Sequence, residues 1–145
     1  MTTARDSSRM PHPARRGPPV DLRIAAPDDL LELSVSHPAA DVCVLHVRGE
    51  VDMFTAPLLH EWLGTHLGKV APHVVVDLEG VQFLDSSGLH ALVSAAWRAK
   101  ETGVLLYIAG LANSPVRMPL TAAGLLPMFR CYPTLADARS ELLDR

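Results

Sequence analysis

Apolar positions along the chain follow two rhythms, and their alternation predicts the order of elements. Leu31, Leu33 and Val35 alternate with Glu32 and Ser34, the period of a half-exposed strand. After a turn at His37-Pro38, Val42 to Val47 is more continuously apolar, as in a deeper strand. Gly49-Glu50-Val51-Asp52 closes it. The period then changes. Leu58, Leu59, Trp62, Leu63 and Leu67 form one helical stripe that starts near Thr55-Ala56-Pro57 and stops at Gly68, with proline in the first turn, where a missing N–H costs little. Trp62 reads as a core or shoulder residue.

Val74 to Val76 is a short β-branched run, a strand buried on both faces. Asp77 and Glu79-Gly80 are expected to end it before a brief apolar return at Val81, Phe83 and Leu84. Leu89, Leu92, Val93 and Ala96 then line one helix face, with His90, Ser94 and Arg98 facing away. Gly103 stops that helix, and Val104 to Ile108 is another buried strand. Ser114-Pro115 caps and opens a third helix, in which Pro119 predicts a late start or a kink, since it removes a donor inside the helix. Arg130–Tyr132 is a candidate short strand. Thr134 and Asp137 resemble a capping box ahead of Leu135, Ala138, Leu142 and Leu143.

A hairpin followed by crossover units implies an α/β fold: a small mixed sheet of four to five strands, mostly parallel after an N-terminal hairpin, with about four helices. At 145 residues the chain is long enough for one core and a tail. Residues 1–29 hold five of the twelve prolines and little apolar periodicity. They are expected to be a disordered Pro/Arg-containing tail, dispensable for folding, ahead of a domain at 30–145. A docking role for this tail and initiation at Met10 fit the sequence equally.

The charge changes the picture mainly by exclusion. Thirteen Lys and Arg against sixteen Asp and Glu give a net charge of −3, without the basic face that nucleic acid requires. The run from Val104 to Ala112 is about half the length of a membrane span. The N-terminus has charges but no apolar segment behind them, so no secretory signal is expected and the cytoplasm is the expected compartment. Cys43 and Cys131 have no motif spacing for a metal or a disulfide. His60 and His66, six residues apart, fall on different faces of their helix.

Chemistry concentrates at Asp85-Ser86-Ser87-Gly88, ahead of the second helix. One reading is a helix N-cap by Asp85, Ser86 or Ser87, and Ser87 is the serine better placed to cap. A second is a nucleophile elbow, which needs glycine two residues before the serine; Leu84 or Asp85 stands there instead. A hydrolase using Ser86 or Ser87 would rest on no catalytic machinery that the sequence shows. A third is a phosphoacceptor, since a helix N-terminus tolerates an added dianion. The carboxyl ends of the parallel strands should bring this loop beside Gly49–Asp52. The result would be an acidic, serine-bearing surface of Asp52, Asp85, Ser86 and Ser87.

Three stretches, VVVDLEGVQFLDSSGLHAL, GEVDMFTAPLLHEWL and SPVRMPLTAAGLLPMF, resemble the signatures of STAS-domain anti-sigma factor antagonists of bacterial partner-switching systems, in order and in register. The resemblance implies a non-enzymatic module that binds an anti-sigma factor doubling as a serine kinase, and so releases a sigma factor during a stress response. It implies phosphorylation of the first serine after the motif's Asp, which is Ser86, and resetting by a phosphatase. Asp52, Asp85, Ser86, Ser87 and Gly88 become the expected partner-binding residues. No cofactor is expected, ATP and Mg²⁺ belonging to the kinase, and the free protein is expected to be a monomer without membrane insertion. The alternative within the same family is a STAS subunit of another assembly, stressosome-like or part of a lipid transporter.

Overall fold

The computed structural model describes residues 30–144 and, in addition, the backbone of Arg23–Ala25. In chain order the elements are β1 (Arg23–Ala25), β2 (Leu31–Ala39), β3 (Val42–Val51), α1 (Ala56–His66), β4 (His73–Leu84), α2 (Ser86–Thr102), β5 (Leu105–Ala109), α3 (Ser114–Ala122), β6 (Arg130–Tyr132) and α4 (Leu135–Leu143). A single 3₁₀ turn at Leu126–Met128 precedes β6. The six strands lie side by side in sequence order. The pairings β1–β2 and β2–β3 are antiparallel, and β3 through β6 run parallel. This is the expected α/β mixed sheet with four helices, extended at one edge by β1. Arg23–Ala25 therefore depart from the expected tail by pairing with Glu32–Ser34; the remainder of 1–29 lies outside the described residues.

Alternation along each strand divides the core between the two sheet faces. Leu31, Leu33, Cys43, Leu45, Val74, Val76, Leu78, Leu106 and Ile108 face α1, α2 and α3 in one large cluster. Val42, Val44, Val75, Tyr107 and Ala109 meet Ala138 and Leu142 of α4 on the other. Trp62 is buried in the larger cluster, although its indole N–H finds no partner there. On α2 the innermost line is Gly88, Ala91, Leu92, Ala95 and Ala99, one step round from the stripe read in the sequence. Leu89 and Ala96 are only partly buried against the same core. Small residues on the inner line let α2 approach the sheet closely.

Residues expected to break strands sit inside them, at bulges. Between the pairs His46↔Asp77 and Arg48↔Gly80, and again between Gly49↔Val81 and Glu50↔Phe83, β4 carries one residue more than β3. An extra residue bends a strand without ending it, so β4 runs unbroken for 12 residues through Asp77–Gly80. His37-Pro38 likewise lies in a bulge of β2, between Ser36↔Val44 and Ala39↔Val42, a place where proline is tolerated. The turn comes three residues later than expected, at Ala40-Asp41. Gly49 sits in β3 at φ +110°, and a Cβ there would lie 2.1 Å from the Leu30 carbonyl oxygen, which already accepts from Glu50 N–H at 2.8 Å.

Pro119 does not delay or interrupt α3, which runs from Ser114 to Ala122. In so short a helix the ring removes a single internal hydrogen bond, and the buried Val116 and Leu120 hold the segment against the sheet. The N-cap is Asn113 rather than Ser114, with no side-chain capping bond. The Asn113 amide instead donates to the Val81 carbonyl at 2.7 Å, tying the α3 entrance to β4.

Candidate functional site

β3 and β4 pair to their last residues, Val51 and Leu84. The chain leaves both at the same sheet end, and Asp85 N–H donates to the Val51 carbonyl at 3.1 Å. The two expected loops are thereby brought together. In the first, Asp52 Oδ1 accepts from Phe54 N–H (2.9 Å) and Thr55 N–H (3.1 Å). The buried Thr55 hydroxyl donates to the Glu50 carbonyl at 2.7 Å. This network turns the chain tightly into α1 and leaves the tip outside: Met53 is 64% and Phe54 79% exposed.

In the second loop Asp85 is the N-cap, in extended geometry. Its Oδ1 accepts from Ser87 N–H at 2.8 Å and Gly88 N–H at 3.3 Å. Capping by Ser87, the serine the sequence favours, does not occur, because the carboxylate two residues earlier takes the free donors first. Ser86, the first helical residue, is exposed, and Ser87 is half-buried. Gly88 is buried. A Cβ on it would stand 2.4 Å from Leu84 Cδ1 and 2.8 Å from Val51 Cγ1, so only glycine lets the start of α2 rest on both strand ends. Gly88 thus supports the loop from beneath, while Asp52, Asp85, Ser86 and Ser87 form its outer part.

Beside Ser86 runs an open groove of about 420 Å³ between α1 and α2, lined by Met53, Pro57, His60, Ser86, Ser87 and His90 among others. His60 and His90 stack across it, with centroids 6.4 Å apart and planes 17° from parallel. The sequence gives no sign of this pair, since thirty residues separate the two histidines and only the α1–α2 contact joins them.

A second constellation is silent in the sequence for the same reason. Asp77 Oδ2 lies 2.9 Å from His46 Nδ1, and His46 Nε2 lies 2.9 Å from the Ser36 hydroxyl. With Nδ1–H donated to the carboxylate, Nε2 accepts from the serine. The order is that of a hydrolase triad, but Ser36 is 4% exposed and Asp77 8%. The serine stands in the paired part of β2, opposite Val44, with its hydroxyl turned to the imidazole. The trio locks three strands together and presents no reachable nucleophile.

Among the described residues no group of three or more His, Cys, Asp or Glu is placed to hold a metal ion, and no helix is long and apolar enough to cross a membrane. Cys43 and Cys131 form no disulfide with each other, and burial raises the pKa of the Cys131 thiol, disfavouring a reactive thiolate.

The fold is a small α/β module: a six-stranded mixed sheet with three helices on one face, one on the other, and a serine loop at the head of α2. The sequence profile of the STAS domain matches residues 36–138, and the chain belongs to that family. The anti-sigma-F factor antagonist RsfB of Mycobacterium tuberculosis is 32% identical over 115 residues, which cover 79% of this chain and 91% of that protein. The crystal structure of an anti-sigma factor antagonist from Mycobacterium paratuberculosis is similar at a TM-score of 0.67 and 36% identity, over 83% of this chain and all of that one. SpoIIAA from Bacillus, in its unphosphorylated form, shares the fold at a TM-score of 0.65 and 16% identity, over 78% of this chain and 97% of that one.

Proposed function

We propose that this chain is an anti-sigma factor antagonist working by partner switching. The unmodified loops around Asp52 and Ser86 dock an anti-sigma factor that is also a serine kinase, and a sigma factor is released. Phosphorylation of Ser86 ends the docking, and a phosphatase restores it. The protein acts in the cytoplasm, as a monomer when free, and catalyses nothing itself; ATP and Mg²⁺ enter with the kinase.

The observation that carries this reading is the division of labour at Asp85-Ser86. The carboxylate caps the helix, so the Ser86 hydroxyl is exposed and uncommitted among the described residues. Around it, Met53 and Phe54 offer apolar area for a partner to cover. A phosphate on Ser86 would add about −1.5 to −2 charges. At the start of a helix the free domain can bear that charge. Beneath a partner it must be desolvated beside Asp85 and Asp52, which is costly.

Incubation with the cognate kinase and ATP, followed by peptide mass spectrometry, tests the acceptor. Phosphate is expected on Ser86, absent in Ser86→Ala and retained in Ser87→Ala. The reverse pattern would move the switch to Ser87.

A further inference from the structure

We infer that His60 and His90 form a hydrogen-bonding grip for the phosphate on Ser86, which folds the modified side chain into the α1–α2 groove. The inference rests on the Ser86 reading above and adds to it a device internal to the chain.

Three observations converge. Ser86 and His90 are one turn apart on α2, where side chains at i and i+4 face each other, and both line the same groove. His60 reaches that groove from α1 and stacks on His90, so two imidazoles from different helices stand beside one serine. Neither ring makes a hydrogen bond to another of the described residues, so their N–H groups are free to donate. The acid-before-base order along α2 also follows the helix dipole.

The other charged groups near the groove are few. Asp85 stands at its mouth with one carboxylate oxygen on the Ser87 and Gly88 amides, and Asp52 lies in the adjoining turn with one oxygen on the Phe54 and Thr55 amides. Arg98 and Glu101 lie beyond His60, at the far end of the α1–α2 cleft. Among the described residues that line the groove, the two histidines are therefore the only side chains able to offer N–H donors to Ser86. An imidazolium donates N–H bonds to phosphate oxygens and stabilises the dianion over the monoanion. Imidazoles carry charge on the acid side of neutrality, and a phosphomonoester gains its second charge near pH 6.

The test uses the full chain with phosphoserine introduced at position 86 during translation, so it needs no kinase. Phosphorus NMR across the acid-to-neutral range reads the second ionisation of the phosphate directly. That ionisation should occur about half a pH unit or more lower in the wild-type background than in the His60→Gln/His90→Gln double variant, with each single variant between them. His90→Lys should keep the depression. Both histidines are exposed, so the variants should fold, and melting curves check this. Equal midpoints in the wild-type and double-variant backgrounds overturn the inference. Such a result leaves the partner-switching reading standing, because binding of the anti-sigma factor is measured separately. A depressed midpoint in a chain whose Ser86 no kinase modifies would separate the two in the other direction.

Discussion

The carboxylate of Asp85 decides what Ser86 is free to do. Removing an N-cap typically costs about 1 kcal/mol, so Asp85→Ala should lower stability by about that much while Ser87→Ala changes it by only a few tenths. Urea unfolding of the two variants distinguishes them, and a larger loss in Ser87→Ala would return the cap to the serine. Gly88 sets the second constraint. Gly88→Ala drives a methyl into Leu84 and Val51, and overpacking of this kind costs about 1–3 kcal/mol. The same loop should then be less well placed for its partner. Asp85, Ser86 and Ser87 stand out in the sequence because capping residues cluster before an apolar stripe. Which of them caps is a matter of backbone angles: Asp85 is extended, at φ −104° and ψ −169°, and no spacing rule carries that.

At the scale of elements, helices were more legible than strands. Each of the four helices lies within a few residues of the stripe that predicted it, because an amphipathic period survives any local irregularity. β4 runs further than its sequence suggests because Asp77, Glu79 and Gly80 are common breakers, and a bulge hides them inside a ladder. Buried Asp77 is tolerated there only through His46 and Ser36. Truncating the middle of that chain, as in His46→Ala, leaves Ser36 and Asp77 without their shared partner, at a cost of about 1–3 kcal/mol. Calorimetry should show it as a lowered Tm with the sheet intact; an unchanged Tm would show that the trio is dispensable. Pro119 makes the opposite case. Pro119→Ala restores one donor to a helix that already forms, so urea unfolding should show a gain of about 1 kcal/mol, less than the full cost of an interior proline because the ring also restricts the unfolded chain.

For the whole molecule, the strand order follows the chain from β1 to β6, so each crossover is local and the family resemblance could be read from three short stretches. The edge strand Arg23–Ala25 was hidden by the proline-rich composition around it. Chains beginning at residue 23 and at residue 30 should differ in Tm, the shorter one melting a few degrees lower because the edge of β2 is uncovered. The central claim is that charge on Ser86 switches binding while the fold stays as it is. Titration calorimetry with the anti-sigma factor, paired with melting curves of the same samples, tests it most directly. Ser86→Ala should bind like the unmodified chain, and Ser86→Asp should bind at least about tenfold more weakly, roughly 1.4 kcal/mol, with its Tm unchanged. Wild-type affinity in Ser86→Asp, or a loss of affinity that tracks a collapse in Tm, would contradict the account.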